Sequence, residues 1–253
     1  MKLKELLAKT SLKSIGREVG LDIQMVEGYL TCTPLDPDDP RYSTDFILPS
    51  MKMVEACRAD DFDFFLPWIK AGKITEQQMH RACQRYHLGK TKSDQPIFWM
   101  IDDMQDPLDA HIGNGWISTL LKKREPFLNH WHPAHCLFGL HLLSERPNPV
   151  AIVESEASAV VLSELFPETI WLSYATTAHL TPDLFAPLEG RTVTLYPRTD
   201  PTLSNYLFFE ELADQTRRQY DLDITVDTTL EDHATASQKD RCIDILEFLQ
   251  DSL

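Results

Sequence analysis

The stretch that decides the fold is VAIVESEASAVVLSELFPETIWLSYA, residues 150–175. VAIV is a short, fully apolar, β-branched run, the pattern of a strand buried on both faces. Ser155 stands where a helix cap belongs, ahead of the apolar segment EASAVVLSELF. TIWLSY (169–174) then reads as a second strand. Further along, Thr181-Pro182-Asp183 opens a short helix with proline at its first position, and Gly190 closes it. TVTLY (192–196) is a third strand, LSNYLFFEELADQTRRQY (203–220) an amphipathic helix and DITVD (223–227) a fourth strand. Thr235 and Gln238 are spaced as a capping box, and a final helix is expected through KDRCIDILEFLQ (239–250). Strands alternating with helices predict an α/β fold, a mainly parallel sheet flanked by helices. Ligands of such sheets sit beyond the carboxyl ends of the strands.

Upstream, MKMVEACRADDFDFFLPWIKAG (51–72) and ITEQQMHRACQRYHLG (74–89) are helical in pattern. Thr75 and Gln78 make a capping box, and Gly89 is placed to close that helix. QPIFWMIDD (95–103) is a β-rich run, HIGNGWIS (111–118) its expected partner, and RPNP (146–149) a turn. The expected organisation is a helical N-terminal region over 1–90, a small β-containing segment over 91–149 and the α/β domain over 150–253. Residues 1–30 have the spacing of two short helices about Gly16 and Gly20. The second, LDIQMVEGYL (21–30), carries Asp22 and Glu27 and no Lys or Arg. It reads as half of a plain helical hairpin rather than a DNA-recognition helix. Residues 33–50, with four prolines and four aspartates, read as a loop.

Composition narrows the class. The chain has 253 residues, 43% of them apolar and 25% charged, with only 9 Gly and 16 Pro, which excludes collagen-like and low-complexity chains. No apolar run approaches the ~20 residues that span a bilayer. The start, MKLKELLAKTSLK, lacks the apolar centre of a signal peptide, so a cytoplasmic location away from membranes is expected. The five cysteines, Cys32, Cys57, Cys83, Cys136 and Cys242, contain no C-x-x-C pair. No zinc ribbon is therefore written, and zinc is not expected. NHWHPAHCLFGLH (129–141) gathers His130, His132, His135 and His141 about Cys136, but Pro133 interrupts the spacing and no second ligand locus accompanies it. P-loop, dinucleotide-binding, serine-hydrolase and zincin motifs are all absent.

The net charge of -15 is unevenly placed. Residues 150–253 hold 19 acids and 6 bases, while the first 149 hold 20 and 18. The C-terminal lobe repels phosphate at long range and suits a basic protein partner or a metal cation. Nucleic-acid contact is expected from the N-terminal lobe, through Lys122, Lys123, Arg124 and Arg85, with Tyr86, Trp99 and Trp116 as rings for stacking.

Glu154 follows the first strand of the parallel sheet directly, and Arg198, Thr199 and Asp200 follow the third. Neighbouring strands lie about 4.8 Å apart, so Glu154 and Asp200 are expected to face each other across the strand tips. With Glu156 close by, such carboxylates suit Mg²⁺, a hard ion that takes oxygen ligands. At these residues the chain resembles a known group. VAIVESEASAVVLSELFPETIWLSYA followed by GRTVTLYP is similar to the Toprim-like domain of uncharacterised primase-like proteins of bacterial mobile elements. The similarity extends upstream through RYHLG, PIFWMID and HCLFGLHLL and downstream through TLEDHATASQKDRCIDILEFL, roughly residues 60–253.

The resemblance implies a Toprim-like sheet, Glu154 as general acid/base, and Mg²⁺ held by Glu154 and Asp200; Glu156, two residues on, is a further candidate ligand by position alone. The chain departs from the pattern at several positions. Arg198 stands where the first aspartate of the Asp-x-Asp pair belongs, and Asp200 matches the second. The motif reads ESEAS without the lysine of the E-S-E-K-T form, and the loop after the second strand reads Ala175-Thr176-Thr177 in place of glycines. The cysteine ribbon found before the domain in many relatives is missing. A guanidinium at Arg198 places a permanent cation where the metal belongs. The expected function is therefore that of a nucleic-acid-associated accessory protein with a degenerate, non-catalytic Toprim-like domain. The alternatives are a Mg²⁺-dependent primase-like or nuclease-like enzyme using Glu154 and Asp200, and an acidic protein-binding module.

Overall fold

A computed structural model describes residue 49 and residues 51–113, 115–119, 133–144 and 147–252. The hairpin expected over 1–30, nearly all of the loop over 33–50, Cys32, the basic run Lys122-Lys123-Arg124, and His130 and His132 lie outside the described residues. The chain forms two compact units, one of residues 1–60 and 87–135, the other of residues 61–86 and 136–253.

In the first unit, helix α1 (Met51–Ala56) accompanies a four-stranded antiparallel sheet in the order β1-β2-β3-β4. Its strands are Gly89–Lys90, Pro96–Ile101, Pro107–Ile112 and Gly115–Trp116. Ile97 pairs with Ile112 and Trp99 with Ala110, and an irregularity at Met100/Ile101 shifts the register. Gly89 does not close the preceding helix. That helix ends at Tyr86, and His87 takes the left-handed turn at φ 52°. Gly89 instead opens β1, where a Cβ would sit 3.0 Å from the Cys57 carbonyl oxygen. Its missing side chain serves close backbone approach rather than chain reversal.

The second unit begins with α2 (Leu66–Lys70) and α3 (Glu76–Arg85), the latter opened by the expected Thr75/Gln78 capping box. Its centre is a parallel sheet in the order β6-β5-β7-β8, with strands Val150–Val153 (β5), Ile170–Ser173 (β6), Thr192–Leu195 (β7) and Asp223–Val226 (β8). All of β5 and β6 is buried, as strands covered on both faces must be. Between them, α4 (Glu156–Leu165) starts at Ser155, whose Oγ accepts the Ser158 N–H at 3.3 Å. Ala159, Val160, Val161 and Leu162 are all fully buried. The helix is apolar on nearly every side because it packs against β5 and β6 and also meets α3.

After β7, helix α5 (Ser204–Gln219) turns Phe209, Leu212, Ala213 and Thr216 inward and packs on β8. Phe138 bridges antiparallel to Ser173 and extends the outer edge of β6. Gly139 follows at φ 83°, where a Cβ would meet the Tyr86 ring at 2.9 Å. The helix expected beyond Thr235 is interrupted. After α6 (Thr229–His233), α7 (Ala236–Asp240) ends, Cys242 turns left-handed at φ 51°, and Asp244 caps a separate α8 (Ile245–Gln250). No helix among the described residues is long and apolar enough to cross a membrane.

Candidate functional site

β5 sends its connection to β6 on one side, and β7 then enters on the other. The crevice beyond the carboxyl ends of β5 and β7 is thus the topological switch point of the sheet, where open α/β folds place their ligands. Glu154 lies directly beyond β5, and Tyr174 directly beyond β6. Arg198 lies just past β7, after Tyr196 and Pro197. Their backbones are well anchored. The Glu154 carbonyl accepts the Ser173 hydroxyl and the Ala175 N–H, the latter at 3.0 Å. Ala175 itself is left-handed at φ 55°, a conformation that glycine adopts without strain.

The guanidinium of Arg198 stands between two acids. Its Nε lies 3.5 Å from Glu154 Oε2 and its Nη2 3.2 Å from Glu247 Oε2. The contact to Glu247 is a hydrogen bond. That to Glu154 is an ion pair without hydrogen-bond geometry, and Arg198 Nε has no hydrogen-bond partner among the described residues.

Behind this pair lies Asp244, 2% exposed. Its Oδ2 accepts the Ser158 hydroxyl at 2.6 Å, and its Oδ1 accepts the Glu247 N–H at 2.8 Å. Glu247 Oε2 in turn accepts the Asp244 N–H at 2.9 Å. This capping box ties the start of α8 to the first turn of α4.

The electrostatics follow from this crowding. Burial raises the pKa of Glu154. Arg198 and the Tyr174 hydroxyl oppose the shift and Asp244 and Glu156 reinforce it, with a net rise. Burial next to Glu154 also pushes the Tyr174 phenol upward. Burial alone would lower Arg198, but Glu154, Glu247 and Asp244 outweigh it and hold the guanidinium more firmly charged. One permanent cation is thus set among several carboxylates.

The other expected ligands are placed differently. Glu156 is buried at the first position of α4 and acts on Glu154 through its charge. Asp200 turns into the start of α5. Its Oδ1 accepts from the Thr202 N–H at 2.8 Å and the Ser204 N–H at 3.2 Å, as well as from both hydroxyls. Its Oδ2 accepts the Asn205 N–H at 2.8 Å. Across the strand tips Glu154 therefore meets Arg198, while Asp200 is occupied as a cap. Arg85 donates to Ser163 Oγ and to Glu164 Oε1, both at 2.7 Å, so its guanidinium serves the α3–α4 packing. His141 is buried with its Nε2 3.0 Å from the Arg85 carbonyl oxygen.

Mg²⁺ needs several oxygens at about 2.1 Å in an octahedral shell. Among the described residues no three His, Cys, Asp or Glu side chains are grouped to hold a metal ion. Arg198 fills the place between Glu154 and Glu247, and Asp200 has its oxygens spent on α5. The side chains present do not fit the ion. Asp244, Glu247, Tyr174 and Ser158 join the site without having been singled out in the sequence. The D-x-x-E spacing of Asp244 and Glu247 was a legible cap signal, and Tyr174 holds the strand-end position beside Glu154.

No curated protein and no solved structure is significantly similar to the chain. One family does match, over residues 63–199, a little more than half the chain and inclusive of the α3 helix, β5, Glu154 and Arg198. The chain belongs to that family, described as a domain of unknown function (DUF6371).

Proposed function

We propose that the chain is a nucleic-acid-associated accessory protein whose parallel-sheet unit is a Toprim-like domain with a degenerate, non-catalytic acidic site. One observation carries the reading: the Arg198 guanidinium lies between Glu154 and Glu247 at the switch point of the sheet. A tethered cation there does what a bound metal would do for the carboxylates, neutralising them, but it offers no open coordination position to a phosphate. The left-handed Ala175 adds support, because it sits in the loop where the resemblance implies glycine. Association with nucleic acid rests on the resemblance and on the run Lys122-Lys123-Arg124. The acidic lobe repels phosphate and Arg85 is engaged inside its own unit.

The test is a calorimetric titration with Mn²⁺ and Mg²⁺, paired with Arg198→Asp. The native protein should give no saturable heat at this site. The variant gathers Glu154, Glu247 and a new carboxylate, and should bind Mn²⁺ with Kd on the order of 10⁻⁴ M. Saturable binding by the native protein that Glu154→Gln abolishes would overturn the non-catalytic reading. A second arm measures single-stranded DNA binding by anisotropy across a salt series. Replacing Lys122, Lys123 and Arg124 by alanine should reduce the slope of log K against log salt by about 2. Absence of DNA binding at low salt would remove the nucleic-acid part of the proposal.

A further inference from the structure

Helix α5 carries two opposed apolar faces. One is the core face of Phe209, Leu212 and Ala213. Leu207 turns the other way, 61% exposed, and Leu203 at the helix start is 42% exposed, while Phe208, also 42% exposed, lies on the flank with its ring edge-on to Phe209 at 5.3 Å. Single exposed apolar side chains are ordinary, but Leu203 and Leu207, four residues apart, share one stripe of the helix surface and Phe208 borders it. Leu203 is also held left-handed at φ 60°, an unfavourable conformation for a leucine. The Asp200 carboxylate, gripping Thr202, Ser204 and Asn205 on either side, fixes this turn. Leucine is thus kept outside where a polar residue or glycine would suit the backbone better.

The rim of the patch is acidic. Glu211 is exposed on the same side of the helix, and Glu210 accepts the Tyr206 hydroxyl at 3.0 Å. Asp227 and Asp232 lie close enough to Tyr206 to raise its pKa, after burial and Glu210. Among the described residues, none of these four carboxylates has a basic partner, since their hydrogen bonds come from neutral donors. Near the far end of the helix, by contrast, Asp214 is matched by Arg217 and Arg218.

We infer that the Leu203/Leu207 stripe of α5, bordered by Phe208, docks a basic amphipathic segment of a partner protein, with apolar side chains laid on the stripe and Lys or Arg set against Glu210 and Glu211. Charge selects this occupant. A second copy would bring its own excess of acids, 19 against 6 bases over residues 150–253. Nucleic acid and anionic membrane are repelled by the same field. A basic helix gains both apolar burial and electrostatic steering.

The probe is a synthetic helical peptide of about 18 residues, five turns, with leucines at i, i+3, i+4, i+7 spacing and lysines elsewhere. Its control is a peptide of equal composition with the leucine stripe scrambled. Anisotropy at about 150 mM salt, where the screening length is about 8 Å, should show the striped peptide binding at least tenfold tighter than the scrambled one. Leu207→Ser with Phe208→Ser should erase that difference; the melting temperature should fall by a few degrees, because Phe208 gives up its ring contact with Phe209, and an unchanged circular dichroism spectrum at the assay temperature checks that the fold is kept. Glu210→Lys with Glu211→Lys should weaken both peptides. Equal affinity for the two peptides, or no binding of either, overturns the inference. So does a striped-peptide preference that survives the serine changes. A dimer seen by sedimentation and dissolved by the serine changes would make a second copy the occupant and overturn it equally.

Discussion

Replacing Asp244 by alanine should destabilise the protein by about 3 kcal/mol in urea unfolding. Two losses add up to that figure. The Glu247 N–H loses its cap at the start of α8, worth about 1–2 kcal/mol. The Ser158 hydroxyl, 5% exposed, loses its acceptor in a place water does not reach, worth about 1–2 kcal/mol more. The Asp244 charge acts unfavourably on Glu154 and favourably on Arg198, so its loss changes the site's electrostatics in both directions and leaves the two hydrogen-bond losses to set the figure. Asparagine separates the two effects. Its amide oxygen can still accept from Glu247 N–H and its NH₂ can donate to Ser158 Oγ, so Asp244→Asn should cost less than about 1 kcal/mol. The same change should lower the Glu154 pKa, followed by NMR of the carboxyl carbon. If alanine costs no more than asparagine, Asp244 does not tie α8 to α4 as the hydrogen bonds imply.

That residue also shows what could be read in advance and what could not. The parallel sheet was legible because VAIV, TIWLSY, TVTLY and DITVD carry short buried-strand patterns spaced by helical ones, and each became a strand. The caps at Ser155, Thr75 and Thr235 were legible because their chemistry is local. The break at Cys242 departs from the continuous helix expected over 239–250: Ile243, Ile245, Leu246, Phe248 and Leu249 carry the helical pattern on, while the Asp244/Glu247 cap spacing within it marks a new start and Cys242 itself bears no sign of a left-handed residue. Glu154 and Arg198 met as neighbours because strand order, once inferred, fixes which loops share a rim. Asp200 was expected at the same rim, but two residues beyond Arg198 the chain has already begun to turn into α5. There, three backbone N–H groups compete for its oxygens and win. Spacing along the chain identifies which residues arrive near a strand end. It does not reveal which of them the next helix will claim.

Asp200→Ala should therefore act on stability and not on any metal. Removing the carboxylate leaves the N–H groups of Thr202, Ser204 and Asn205, at the head of a 16-residue helix, to solvent and frees the left-handed turn at Leu203. The expected cost is about 2 kcal/mol, at the top of the range for a lost cap because one carboxylate serves three N–H groups that water then replaces only in part. Acid titration provides an independent check. Burial pushes the Asp200 carboxyl upward, but the Thr202 hydroxyl and the N–H groups of Asn205, Thr202 and Ser204 outweigh it and hold it well below its ordinary 3.8. A lowered folded-state pKa contributes stability that is complete above the unfolded value and is lost as pH falls through the folded one. The native protein should accordingly lose this contribution below about pH 4. Glu154 works in the opposite sense. Its pKa is raised above 4.5, so its contribution is present at low pH and disappears as pH rises through the folded value. Asp200→Asn should flatten the acid limb of the stability curve and uncover the shallow gain from protonating Glu154. An acid limb equally steep in native protein and Asp200→Asn would show that another carboxylate sets it and that Asp200 is not the anchor of α5.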